Sequence, residues 1–217
     1  MSQQFSGIIF DMDGTLVDSE VVWERVENQM FAEWGIDYTV EVREQIIGLR
    51  LDEMWEKLVA MFALEGSPPD LSRELQRRFI DIVQEVEPKP GANEIIQYAI
   101  DNNIPNCIAS SSPQSIIEAI VMAQGWDELI PKRYSADLVT LGKPAPDVYL
   151  YAAKQLGVAP SQCLAIEDSA NGARSAVAAG MTTYVVPDTH TTADKFADIT
   201  PHVYDTLHDV LNSLRQA

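Results

Sequence analysis

Short apolar runs, each closed by a polar residue or a proline, limit what this chain can fold into more than any other feature. They are Gly7-Ile8-Ile9-Phe10 before Asp11, Cys107-Ile108-Ala109 before Ser110, Cys163-Leu164-Ala165-Ile166 before Glu167, and Thr182-Thr183-Tyr184-Val185-Val186 before Pro187. Such a run has no polar face to turn toward water, so each reads as a strand buried on both sides. Between the runs the apolar residues take helical spacing. Ile116, Ile117, Ile120 and Val121 follow a Ser112 cap and Pro113 in the first turn, and Val148, Tyr149, Ala152 and Ala153 follow Pro146. Buried strands alternating with amphipathic helices predict an α/β fold with a doubly wound parallel sheet.

One stretch breaks the alternation. From about Ser19 to Val86 only helical spacing is found: Val22, Val26, Met30; then Met54, Leu58, Met61, Phe62; then Leu71, Leu75, Phe79, Val83. An insert of that size just after the first strand predicts a small α-helical domain over residues 19–86, set into a core made of residues 1–18 and 87–217. The boundaries fall near Asp18 and near Pro88-Lys89-Pro90-Gly91, a turn-forming stretch. The alternative is a helical face of one larger domain, which 217 residues also permit.

In an open parallel sheet, ligands bind beyond the carboxyl ends of the strands, so the residue after each apolar run is a candidate. Asp11 and Asp13 follow the first run, Ser110 the second, and Glu167 with Asp168 the third. Lys143 lies in Gly142-Lys143-Pro144-Ala145-Pro146-Asp147, where two prolines restrict the backbone. Carboxylate oxygens are hard ligands that suit Mg²⁺, which is commonly held by one or two carboxylates together with a substrate phosphate. A lysine and a serine hydroxyl suit phosphate oxygens. Two carboxylates at i, i+2 can divide labour if one stays ionised and the other carries a proton. Taken singly, Asp-x-Asp also fits a turn, and Glu167-Asp168 also fits a helix cap.

Together, these residues resemble a known pattern. Asp11-Met12-Asp13-Gly14-Thr15-Leu16-Val17-Asp18-Ser19 is similar to the first motif of the haloacid dehalogenase superfamily, whose phosphatases carry DxDG(T/V). Ser110 after an apolar run, Lys143 in Gly-Lys-Pro-x-Pro, and Glu167-Asp168-Ser169-Ala170-Asn171-Gly172 follow in the family's order. The helical insert resembles the cap of the subfamily that contains β-phosphoglucomutase and small sugar phosphatases. The resemblance implies that Asp11 attacks phosphorus and becomes an aspartyl phosphate, while Asp13 protonates the leaving oxygen and then activates water. It further implies that Mg²⁺ is held by the Asp11 carboxylate, the Asp13 carbonyl and Asp168, with Glu167 an additional or water-mediated contact. Ser110 and Lys143 would bind the phosphoryl oxygens, with Ser111 beside them, and Ser169 and Asn171 would either orient the metal acids or cap a helix.

Departures within the family narrow the expectation. Dehalogenases lack the second aspartate, present here as Asp13. Phosphonoacetaldehyde hydrolases need an early cap lysine, and Val21 to Arg25 contains none; Lys57 is the only lysine between residues 19 and 88. Mutases of the subfamily carry a histidine where this chain has Trp23, and an arginine where it has Leu51 in Gly48-Leu49-Arg50-Leu51. Glu-x-x-Trp after Asp-Ser resembles instead the hexose-phosphate phosphatases that act on 2-deoxyglucose 6-phosphate. The expected substrate is therefore a small sugar phosphate, with Trp23, Gly48 and Arg50 as candidate substrate contacts from the cap; a phosphomutase is the rival reading and a catalytically silent relative a remote one. Charge removes other classes. With 33 acidic against 15 basic residues the chain carries −18, which opposes binding to nucleic acid or to anionic membranes. No run of about 18 apolar residues and no leader pattern is visible, so a cytoplasmic monomer is expected. Cys107 and Cys163 lack a CxxC or histidine neighbour and are expected as small core residues.

Overall fold

In chain order the strands are β1 (Gly7–Phe10), β2 (Val17–Asp18), β3 (Glu87–Pro88), β4 (Asn106–Ser110), β5 (Arg133–Ser135), β6 (Cys163–Glu167) and β7 (Thr182–Val185). The α-helices are α1 (Glu20–Glu33), α2 (Val40–Ile46), α3 (Leu51–Phe62), α4 (Pro68–Asp81), α5 (Ala92–Asp101), α6 (Gln114–Ala123), α7 (Asp147–Leu156), α8 (Ala170–Ala178) and α9 (Leu207–Gln216). The structure is a computed structural model and describes residues 5–35, 37, 39–46, 49–64, 67–188 and 191–216.

All four apolar runs are strands, and they pair in parallel in the order β5-β4-β1-β6-β7. Successive side chains point to opposite faces, and the sheet divides them accordingly. Ile8, Phe10, Ile108, Leu164 and Ile166 join a large cluster with α5, α6 and α9, while Ile9, Cys107, Ala109, Cys163 and Ala165 face α7 and α8. The second face is built largely from alanine and cysteine, which lets α7 pack close to the strands. Both cysteines are free and buried there as expected, and burial drives both thiols above their ordinary range, Cys163 to about 11. The fifth strand, β5, was not expected. It is a three-residue edge strand paired to β4, with Ser135 opposite Ser110.

Among the described residues, the stretch from α1 to α4 holds four helices and no strand, with a cluster of its own formed by Val26, Met30, Phe31, Met54, Trp55, Leu58, Leu71 and Leu75. The expected stripe departs from the observed one at Met61, which is 43% exposed, while Trp55 is fully buried. Val22, Phe79 and Val83 pack instead into the cluster under the sheet. The chain leaves and re-enters through the antiparallel pair β2 and β3, with Val17 opposite Pro88 and Asp18 opposite Glu87. The helical segment is thus tied at both its ends by a two-stranded sheet separate from the five-stranded one, and α1 begins seven residues after Asp13, close enough for Ser19 and Trp23 to reach it.

Candidate active site

Asp11 follows β1 directly, Ser110 closes β4, Glu167 closes β6 and Asp168 comes next, so every strand-end candidate stands at the carboxyl edge of the sheet. Lys143 reaches this edge from the loop before α7. Its Nζ donates to Asp11 Oδ1 at 2.6 Å and to Glu167 Oε1 at 2.7 Å, and all three side chains are buried. Tyr149 also donates its hydroxyl to Glu167 Oε1, at 2.8 Å. Glu167 Oε2 accepts from the backbone N–H groups of Asp168 and Ser169 and from Ser169 Oγ. Five donors thus meet one buried carboxylate, more than its roughly four lone-pair positions hold singly. Glu167 is committed to fixing Lys143 and the start of α8.

Burial governs the electrostatics. It pushes the Asp11 carboxyl up to about 7, with Lys143 opposing and Glu167 and Asp13 adding to the rise. Asp168 is driven well above the usual carboxylate range by burial and then by the charges of Asp11 and Glu167. Burial alone would lower the Lys143 ammonium, but Asp11 and Glu167 together raise it, so it stays charged. Three buried acids share one lysine, and an oxygen atom from each of Asp11, Glu167 and Asp168 lies within 4.8 Å of the others. The excess negative charge and the all-oxygen donor set fit a hard divalent cation.

Two glycines make room for this cluster. A Cβ at Gly14, whose φ is +76°, would overlap the Asp168 carboxylate, and one at Gly172 would overlap that of Glu167. Only the residue without a side chain lets these acids stand so close to the backbone.

Asp13 has a different environment. Its Oδ1 accepts from Ser19 Oγ at 2.6 Å and, more weakly, from Trp23 Nε1 at 3.4 Å. Its Oδ2 accepts from Ser110 Oγ at 3.0 Å and Ser112 Oγ at 2.8 Å. Ser19 precedes α1 but makes no capping bond. It forgoes an interaction worth about 1 kcal/mol to hold Asp13. Ser112 was expected to cap α6. The structure gives that place to Pro113, with the helix starting at Gln114, and turns the Ser112 hydroxyl to Asp13.

A cavity of about 300 Å³ opens above the acids and is lined by Asp11, Asp13, Ser110, Ser111, Lys143 and Asp168 among others. Trp23 lines it from the helical segment, and its ring also stacks on Phe79 with centroids 4.2 Å apart. Arg50 does not line it. Its guanidinium pairs with Asp52 and donates to the Val139 carbonyl at 3.4 Å, joining the start of α3 to the loop before Lys143. Gly48 lies outside the described residues. Asn171 lines the cavity, and Ser169 does both things considered for it: its hydroxyl donates to Glu167 and accepts from the Gly172 N–H as the cap of α8. Sequence reasoning missed Tyr149 as a site residue because its spacing marks it as core; the signal was a phenol hydroxyl on a helix face that must be buried and therefore needs a partner.

A family model for haloacid dehalogenase-like hydrolases matches residues 5–180. The chain belongs to this family. Among haloacid dehalogenase-like hydrolases, hexitol phosphatase B of Escherichia coli (strain K12) is 34% identical over 190 residues, covering 85% of this chain and 85% of that protein. Probable pseudouridine-5'-phosphatase of Drosophila melanogaster is 32% identical over 199 residues, covering 88% of this chain and 86% of that one. The crystal structure of CbbY from Rhodobacter sphaeroides in complex with phosphate superposes with a TM-score of 0.87 at 28% identity, over 97% of this chain and 99% of the other. Family and phosphatase-named relatives support a phosphoric monoester hydrolase, and no helix among the described residues is long and apolar enough to cross a membrane.

Proposed function

We propose that this haloacid dehalogenase-like hydrolase is a Mg²⁺-dependent phosphomonoesterase that releases phosphate from small sugar phosphates through an aspartyl-phosphate intermediate. The observation that carries the reading is the separation of two carboxylates, two residues apart, into unlike surroundings: Asp11 beside a buried lysine and two acids, Asp13 among hydroxyls and an indole.

Asp11 is the nucleophile. Lys143 holds one of its oxygens and leaves the other to form the bond to phosphorus as the alcohol oxygen departs. Asp13 gives its proton to that oxygen, so the sugar leaves as a neutral alcohol. Asp13 then takes a proton from water, which attacks phosphorus, releases inorganic phosphate and restores the Asp11 carboxylate. Lys143 and Ser110 bind the phosphoryl oxygens, Ser110 by turning from Asp13 to the substrate. Asp11 and Asp168, with the Asp13 carbonyl, would hold Mg²⁺, which supplies charge neutralisation at the phosphoryl group. Glu167, saturated by its donors, contributes through Lys143 and its charge.

The domain reading is part of the proposal: residues 19–86 act as a cap over a core of residues 1–18 and 87–217, supported by the separate apolar cluster of α1 to α4 and by the two-strand tie at its base. The enzyme would work as a cytoplasmic monomer, supported by a net charge of −18 that repels copies of itself. The mutase reading is less favoured, because Leu51 and Trp23 line the cavity where a mutase of this subfamily would carry arginine and histidine, and Arg50 is engaged elsewhere. A panel of hexose, pentose, polyol and nucleotide monophosphates, assayed for phosphate release with Mg²⁺ and with chelator, tests the proposal. Release confined to sugar or polyol esters and dependent on metal is expected; release from none, or unchanged in chelator, overturns it.

A further inference from the structure

Of the expected substrate contacts that are described, Arg50 alone does not line the cavity. It stands in extended backbone, with φ −65° and ψ 152°, immediately before α3. Side chains alternate in direction along such backbone, and Leu49 and Leu51 on either side of it do line the cavity. The Arg50 side chain, only 15% exposed, goes instead to the loop between β5 and α7. Its Nη1 donates to the Val139 carbonyl at 3.4 Å, and its charge attracts Asp137. The stem lies against Gly142, where an added Cβ would stand 3.0 Å from Arg50 Cδ. Asp52 holds the other edge of the guanidinium, with Nε donating to Oδ1 at 3.1 Å. A planar fork of N–H donors can serve both partners at once. The loop is the fixed side of this joint: Lys143 follows Gly142 directly and is clamped between Asp11 and Glu167, and Pro144 and Pro146 restrict the chain beyond it.

We propose that Arg50 is a positioning residue that seats the cavity wall formed by Leu49 and Leu51 on the loop carrying Lys143, so that the surface meeting the leaving group is fixed relative to the lysine that holds the phosphate. The inference rests on the phosphatase reading above and deepens it. The effect of Arg50 passes through the two leucines, because the arginine does not itself reach the cavity. A wall displaced by about 1 Å loses its fit to the carbon skeleton of the ester. Phosphate alone is held by Lys143, whose place is set by Asp11 and Glu167 and not by Arg50. Loss of Arg50 should therefore weaken the recognition of the leaving group and spare the recognition of phosphate.

The test measures kcat and KM for the best-hydrolysed sugar or polyol monophosphate, together with the inhibition constant of inorganic phosphate, in wild type, Arg50→Ala, Arg50→Lys, Leu51→Ala and the double variant of Arg50→Ala with Leu51→Ala. Arg50→Ala should lower kcat/KM by about tenfold, mainly through KM, while the inhibition constant of phosphate stays within about twofold of wild type. Arg50→Lys keeps a charge opposite Asp137 and a stem against Gly142, so it should recover most of the loss. In the double variant the two losses should fall short of adding, as they must if the arginine acts through the leucine. Hydrogen exchange supplies a readout without turnover: peptides spanning residues 49–58 should exchange faster in Arg50→Ala, with those of β6 unchanged. The proposal is overturned if Arg50→Ala stays within twofold of wild type in kcat/KM, if phosphate inhibition weakens as much as KM rises, if the losses add in full, or if exchange over residues 49–58 does not change. Should wild type release phosphate from no ester, the phosphatase reading fails by itself, and the exchange measurement still decides whether Arg50 seats this wall.

Discussion

Replacing Gly172 with alanine tests the site through a single methyl group. Gly172 lies in the first turn of α8, where its N–H donates to Ser169 Oγ at 3.1 Å. At an ordinary helical position alanine would stabilise the chain by about 1 kcal/mol over glycine. Here the added carbon overlaps the Glu167 carboxylate, which is wholly buried and cannot escape to water. Glu167 must give up its bonds to Lys143, Tyr149 and the amides of Asp168 and Ser169. Breaking a buried ion pair costs about 3–5 kcal/mol, so after the helical gain the net loss is about 2–4 kcal/mol. Urea denaturation should show that loss as a lower midpoint at unchanged slope. Phosphate release should fall by more than tenfold as Lys143 shifts. A double-mutant cycle with Glu167→Ala locates the effect, because the alanine at 172 should cost little once the carboxylate is gone. If Gly172→Ala is as stable as wild type and turns over within twofold of it, Glu167 does not hold the lysine as described.

Asp11→Asn should reduce phosphate release to below a few per cent, since an amide cannot form the acyl phosphate, while the metal-free variant should be at least as stable as wild type because one of three crowded acids loses its charge. Retained turnover removes Asp11 as nucleophile. Metal binding should be linked to pH: with the Asp11 carboxyl raised from 3.8 to about 7, the metal-free folded chain holds more protons than the unfolded one across that window, so its stability falls as pH rises through it. Mg²⁺ should therefore raise Tm more at pH 8 than at pH 5, and an equal rise at both values would contradict the buried acid cluster. Given β-glucose 1-phosphate, the enzyme should yield inorganic phosphate and glucose even with glucose 1,6-bisphosphate supplied; glucose 6-phosphate accumulating faster than phosphate would restore the mutase reading.

The strands were legible where their burial left a mark on the sequence. Strands covered on both faces must be apolar throughout, so β1, β4, β6 and β7 stand out, and their polar ends point to the crevice. The edge strand β5 is covered less, and Arg133-Tyr134-Ser135 is indistinguishable from a loop without its partner β4. With seven residues, α2 is too short for a 3.6-residue period to show. In α3, Met61 and Trp55 both fit an apolar stripe, and only packing against α1 and α4 decides that Trp55 is inside and Met61 out. Ser112 fails as a cap for a related reason. A serine before proline offers the same hydroxyl whether it bonds its own helix or a carboxylate 99 positions away, and only the fold brings Asp13 within reach.

The two aspartates of Asp11-Met12-Asp13 show how the fold gives unlike surroundings to residues that spacing leaves alike, and the roles proposed for them rest on that difference. Asp11 points into a buried space where its partner is a fixed cation, and a second cation at the acid cluster would complete the neutralisation. Such surroundings suit a nucleophile that must stay ionised while it approaches a phosphate of the same sign. Asp13 meets three hydroxyls and an indole, all neutral donors, two from the sheet edge and two from the start of the helical segment. Neutral donors orient a carboxylate without cancelling its charge, and serine hydroxyls rotate to accept a bond when the acid becomes protonated. A group surrounded in this way can take up a proton and give it back with little rearrangement, as the two halves of the reaction require. The proposed division of labour therefore rests on the different partners to which the chain turns the two side chains: Lys143 for Asp11, and Ser19, Ser110 and Ser112 for Asp13.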